Sequence, residues 1–191
     1  MNTQSCRRVV VHGHGGSGKP SLARIIGARL NLAVIDLDAL YHVKNWDDTP
    51  MDEFRAKIER AKDSSPNGWV SAGNYSRVKD LLMDQADTVI WLRLPFHIVY
   101  KRLIWRTIRD LITRRPVWEG TELKESWRQT FATRNSILLW GIKNWTPLIR
   151  KMNKALHTAP KGLKIEILRS SRDVDQFIEQ LPLIMENSSD G

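Results

Sequence analysis

The chain has 191 residues, 41% of them hydrophobic, one cysteine and a formal net charge of +9. That is enough apolar material for one domain with a sizeable core, and a lone cysteine excludes an intrachain disulfide and a cysteine-based metal cluster. No run approaches the roughly 18–20 apolar residues of a membrane helix, and the start, MNTQSCRRVVVHG, has no apolar leader, so the expected setting is the reducing cytoplasm with no membrane partner.

In chain order, residues 8–12 (RVVVH) are predicted as the first strand, followed by a glycine-rich turn and a helix over 20–30. A second strand is expected at 33–36 (AVID), with Asp36 and Asp38 just past it, and a helix at 51–63. The third strand, 69–72 (WVSA), runs into Asn74 and Tyr75, and a helix is predicted at 76–84. A fourth strand at 87–92 (DTVIWL) precedes a long helical pair within 96–157, then a fifth strand at 163–168 (LKIEIL) and a helix at 172–181. This alternation predicts a single α/β domain over 1–185 with a mainly parallel sheet, and a frayed tail at 186–191. Ligands of such sheets bind at the carboxyl ends of the strands. The glycine turn, Asp38, Asn74 and Tyr75 all fall there.

The turn itself is GHGGSGK (13–19), which meets the phosphate-loop spacing G-x-x-x-x-G-K at Gly13, Gly18 and Lys19. Gly13, Gly15, Gly16 and Gly18 free the backbone to turn successive N–H groups, with that of Ser17, toward an anion. The next helix adds its positive end, and Lys19 is expected to reach the β- and γ-phosphates of ATP. The pattern then asks for Ser or Thr and finds Pro20. Proline suits a first helical turn but brings neither a hydroxyl for Mg²⁺ nor an N–H for phosphate. Ser21 is turned about 100° further around the helix and is expected to face the α-phosphate rather than the metal. The expectation is a site that holds phosphate and grips Mg²⁺ weakly, with no metal-ligating residue of its own.

Between residues 101 and 154 stand 13 Lys and Arg against 4 Asp and Glu, so the whole charge surplus lies in that segment. Both nucleotide and nucleic acid suit such a surface. Ile104, Ile108 and Leu111 share one helical face, and Arg102, Arg106 and Arg109 form a basic stripe about 200° around the axis. Pro116 and Gly120 mark a turn. A second helix then carries Leu123, Trp127, Phe131, Leu138, Ile142, Trp145 and Ile149 on one stripe. Two helices with a basic loop make a helical lid at about 101–134, whose Arg109, Arg114 and Arg134 are, with Lys19, the candidate catalytic cations. Most of the eight tryptophans are read as core, and His12 and His14 lack a third ligand at metal spacing.

The blocks GHGGSGK, DLDALYH (36–42), WVSAGNYSRV (69–78), ADTVIWLRLP (86–95) and RNSILLW (134–140) together resemble the adenylate-kinase-like P-loop proteins often named DNA topology modulation proteins. The likeness runs from about Arg8 to Trp145. It implies a nucleoside-monophosphate-kinase fold with strand order 2-3-1-4-5 and a nucleotide at the loop. Three positions depart from the pattern. Pro20 replaces Ser or Thr, Ala72 stands where the third strand usually ends in an Asp that helps hold Mg²⁺ through water, and Arg93 replaces an acid after the fourth strand. The expected function is an ATP-binding, kinase-like phosphotransferase acting on a small molecule or nucleotide, with Asp38, Asn74 and Tyr75 toward the acceptor. The alternative is a catalytically weak, nucleotide-regulated protein that docks DNA through 101–154.

Overall fold

The computed structural model describes residues 6–42, 49–113, 137–159 and 162–182. Five strands form one sheet: β1 (Arg8–Gly13), β2 (Ala33–Asp36), β3 (Trp69–Ala72), β4 (Thr88–Leu92) and β5 (Lys164–Leu168). All neighbours are parallel and their order is β2-β3-β1-β4-β5, the order of the P-loop kinases. In register, Gly13 lies opposite Leu92, and Asp36 opposite Ala72. The glycine loop, Asp36 and the end of β3 therefore share one edge of the sheet.

The strands are nearly continuous apolar runs because helices cover both faces. Val9, Val11, Ile90 and Leu92 pack with Leu22 and Ile26 of α1 (Lys19–Leu30) and Phe177 of α7 (Ser171–Glu179). Val10, Ile35, Val89 and Trp91 point the other way, toward Phe54 and Ile58 of α3 (Met51–Lys62) and Met152 of α6 (Trp145–His157). The remaining helices are α2 (Leu37–Tyr41), α4 (Phe96–Thr113) and α5 (Ile137–Lys143). α1 opens on Gly18, with Pro20 in its first turn, and closes on Asn31, whose left-handed backbone lets the following Leu32 N–H turn back to the Gly27 carbonyl at 3.0 Å. A Ser170–Asp173 capping box starts α7.

Four details differ from the sequence-based expectation. Segment 76–84 forms a 3₁₀ turn at Ser76–Val78 and further tight turns, in which Leu81 N–H bonds Val78 O and Leu82 N–H bonds Lys79 O. Side chains hold it so, Asp80 pairing with Arg55 of α3 and Lys79 with Asp84. A short helix follows β2, beginning at Leu37 and capped by Asp36, whose Oδ1 accepts from the N–H groups of Asp38 and Ala39 at 3.2 and 3.5 Å. The second lid helix is not continuous. It stops before Asn144 and restarts as α6, because Pro147 is tolerated in a first turn and not in a helix interior.

The fourth difference is the packed face of α4. The buried line is Val99, Leu103 and Thr107, while Ile104 and Ile108 are half-buried. The glycine loop draws that line inward: a Cβ at Gly16 would stand 2.7 Å from the Val99 carbonyl oxygen.

Phe54 is fully buried and contacts the rings of Tyr41 and Tyr75, tying α3 to the ends of β2 and β3. Phe54→Ala is expected to cost about 3–5 kcal/mol in urea unfolding. A loss below about 1 kcal/mol would contradict this placement of α3.

Candidate functional site

The loop between β1 and α1 takes the shape its glycines permit. Gly16 and Gly18 have φ of +84° and +95°, in the left-handed region that suits glycine. Ser17 N–H donates to His14 O at 3.1 Å, closing the turn. A Cβ added at Gly18 would meet nothing within 4 Å, so the loop is uncrowded where it enters the helix. Gly13 faces Ser17, where a Cβ would fall 2.6 Å from Oγ, and Gly15 meets only Leu103 at 4.0 Å. Ser17 is buried, and its Oγ has no hydrogen-bond partner. Ser21 lies exposed on α1.

Lys19 is 7% exposed and has no ion-pair partner among the described residues. Its Nζ donates to the His14 carbonyl at 3.1 Å. Burial pushes its pKa down; Asp38 and Asp36 oppose that shift, and the Arg106 guanidinium adds to it. Arg106 therefore stands in the field of Lys19, at the flank of the buried face of α4. Its Nε is buried with no hydrogen-bond partner. Arg106 was not among the expected catalytic cations, although it sits in the basic stripe; only the contact of α4 with the loop sets it apart from Arg102 and Arg109. The Asp36 carboxyl is pushed up by burial and then by Asp38, against the two N–H bonds that it accepts.

Of the residues expected toward the acceptor, Asn74 is tied to the loop. Asn74 Nδ2 donates to Gly13 O at 2.7 Å, so its Oδ1 faces His12 Nδ1 at 2.9 Å. Tyr75 packs against Tyr41 and Phe54. His14 stacks on Trp145 with ring centroids 3.8 Å apart, and its Nε2 lies 3.0 Å from the Trp145 carbonyl oxygen. The first turn of α6 is thus fastened to the phosphate loop.

The three arginines of the α4 stripe have separate surroundings. Arg102 donates to Ser171 Oγ at 3.0 Å, Arg106 stands near Lys19, and Arg109 pairs with its neighbour Asp110 at 3.0 Å. Arg114, Arg134 and the lid loop lie outside the described residues. Arg93 places its guanidinium 5.1 Å from the centre of the Trp91 ring, a cation–π contact. Trp69 and Trp91 are core; Trp145 is half-buried and Trp105 is 66% exposed.

The glycine loop, an orphaned Ser17 hydroxyl and two cations with no ion-pair partner among the described residues fit a polyphosphate. For Mg²⁺ the fit is thinner. Position 20 offers no hydroxyl and position 72 no carboxylate, leaving Asp36 and Asp38 as the acids nearest Lys19. Among the described residues no group of three or more metal-ligating side chains comes together, and no helix is long and apolar enough to cross a membrane.

No protein-family model and no curated protein matches the chain. Among solved structures it is similar to shikimate kinase from Bacteroides thetaiotaomicron, at 15% identity and a TM-score of 0.49, covering 92% of this chain and 95% of that one. It is also similar to an unliganded sugar kinase from Janibacter sp. HTCC2649, at 16% identity and a TM-score of 0.44, over 91% of this chain and 90% of that one. The P-loop kinase architecture rests on the sheet order and on the loop after β1.

Burial, the largest cause for both His12 and His14, together with the Lys19 charge, pushes these imidazoles below their ordinary pKa. The unfolded chain therefore binds protons that the folded chain refuses as pH falls below about 6.5. Stability is expected to be full above that value and to drop toward pH 5.5, in urea titrations at the two pH values. Equal stability at both would contradict the burial of these rings.

Proposed function

We propose that the protein transfers the γ-phosphoryl group of ATP to a hydroxyl of a small molecule. The observation that carries this reading is a pair of cations, Lys19 and Arg106, beside the glycine loop, neither with an ion-pair partner among the described residues. A buried cation without a partner is costly, and a phosphate chain is the ligand that this loop is shaped to receive. In the transfer, the acceptor oxygen bonds to the γ-phosphorus while the bond from phosphorus to the ADP oxygen breaks, its electron pair leaving with ADP. The acceptor proton goes to a neighbouring base, for which Asp38 and His12 are the groups at hand.

Lys19 and the loop N–H groups would hold the phosphates in line, and Arg106 would meet charge on the transferring group. Mg²⁺, when bound, would neutralise charge between the phosphates, held by Asp36 and Asp38 without help from positions 20 and 72. The likeness of short sequence blocks to the DNA topology modulation proteins supports the nucleotide and not the acceptor. A DNA-docking role would rest on the basic segment 101–154, of which 114–136 lie outside the described residues.

The test is ADP release in a coupled assay across nucleoside monophosphates and small hydroxyl compounds. Arg106→Ala is expected to lower turnover about 100-fold or more at unchanged melting temperature. A folded Arg106→Ala protein within twofold of the parent would remove Arg106 from the chemistry. No ADP release with any acceptor would remove the transfer itself.

A further inference from the structure

Beside the glycine loop, between the sheet and α6, the structure leaves an open cleft. His12, Gly13 and His14 form the wall nearest the loop. Its body is apolar, built from Trp91 of β4, Leu82 and Met83 of the turn segment, and Leu148 and Met152 of α6. No aspartate or glutamate lines it.

A few polar groups interrupt that wall, and three of them lack partners. Ser71 is 1% exposed, and its buried Oγ has no hydrogen-bond partner. An orphaned hydroxyl in a cleft wall is a donor and acceptor held ready for something else. His12 is oriented by Asn74: because the Asn74 amide nitrogen is committed to Gly13 O, its oxygen receives the proton on Nδ1. Burial and the charges of Lys19 and Lys151 keep this ring neutral. Its Nε2 then presents a lone pair that no described residue engages. Lys151 lies exposed on α6 and has no ion-pair partner among the described residues, whereas Lys79, also in the wall, is taken by Asp84.

We propose that this cleft binds a small hydroxy acid: an apolar body, one hydroxyl and one anionic group. The body fills the space between Trp91 and Met152, the hydroxyl lies at the His12 and Ser71 end beside the phosphate loop, and the anion pairs with Lys151. This deepens the phosphoryl-transfer reading, on which the ligand's role as acceptor rests. Binding itself does not depend on that reading. A polyol is disfavoured because most of the wall offers it no hydrogen bond. An aliphatic amine is disfavoured because two lysines face it and no acid does.

The experiment is ligand-observed NMR and calorimetry on the full chain without nucleotide. The probes are 4-hydroxyphenylacetate and 6-hydroxyhexanoate, against 1-hexanol, glucose and AMP. The two hydroxy acids are expected to bind at least tenfold more tightly than the other three. Ala155→Phe, which fills the cleft, abolishes that binding. Lys151→Gln, a change at an exposed position, weakens it about fivefold to tenfold and leaves hexanol unaffected. Ser71→Ala weakens it without lowering the melting temperature. Tighter binding of AMP or glucose, no binding of either acid, or acid binding unchanged in folded Lys151→Gln and Ala155→Phe proteins would overturn the proposal. A protein that binds the acids but never phosphorylates them sinks the transfer reading and leaves this site standing. One that binds ATP and neither acid sinks this site alone.

Discussion

Lys19 is a cation taken out of water and given only a carbonyl oxygen to hold. Much of the surrounding structure follows from that. Desolvating an ammonium opposes its charged form, so the loop must offer compensation or leave the charge waiting for a ligand. Asp36 and Asp38 supply part of it across space, and Arg106 works against it. A loop built to close permanently over its lysine would put a carboxylate at Nζ. This one instead keeps Gly18 open and Ser17 Oγ without a partner.

The sheet makes this arrangement possible. Parallel strands bring Gly13, Asp36 and Ala72 to one edge, and Asn74 then bonds both sides of the junction between β1 and the loop. On the other flank, Gly16 admits the backbone of α4, which brings Arg106 toward Lys19. Trp145 fastens α6 to His14 through both its ring and its carbonyl. The loop is therefore held by elements on either side of the expected lid, and movement of α6 would be felt at His14 directly.

Much of this was legible in the sequence. The strands 33–36 and 69–72 appear with the expected bounds, as short runs rich in β-branched and aromatic residues. The glycine spacing located the turn between β1 and α1. That Asp36 caps the helix after β2 was not readable, because periodicity does not show which of two nearby aspartates bends back to the backbone. Arg106 could not be told from Arg102 and Arg109, since its difference arises from which side of α4 the loop draws in. Segment 76–84 has helical composition, and ion pairs to Arg55 and within the segment override it. The break at Asn144 was readable in Pro147, three residues on. The cleft was not readable at all, because its wall comes from five separate stretches of chain.

Calorimetry of ATP binding, with Mg²⁺ and with EDTA, tests the central claim most directly when run on the parent chain and on Lys19→Ala. The account predicts ATP affinities within about tenfold of each other with and without the metal. It predicts at least a tenfold loss in a folded Lys19→Ala protein, the scale of a charge-assisted hydrogen bond. Binding that vanishes with EDTA would show that the metal, not the loop and Lys19, holds the nucleotide. Unchanged affinity in Lys19→Ala would show that the open loop is not the phosphate site.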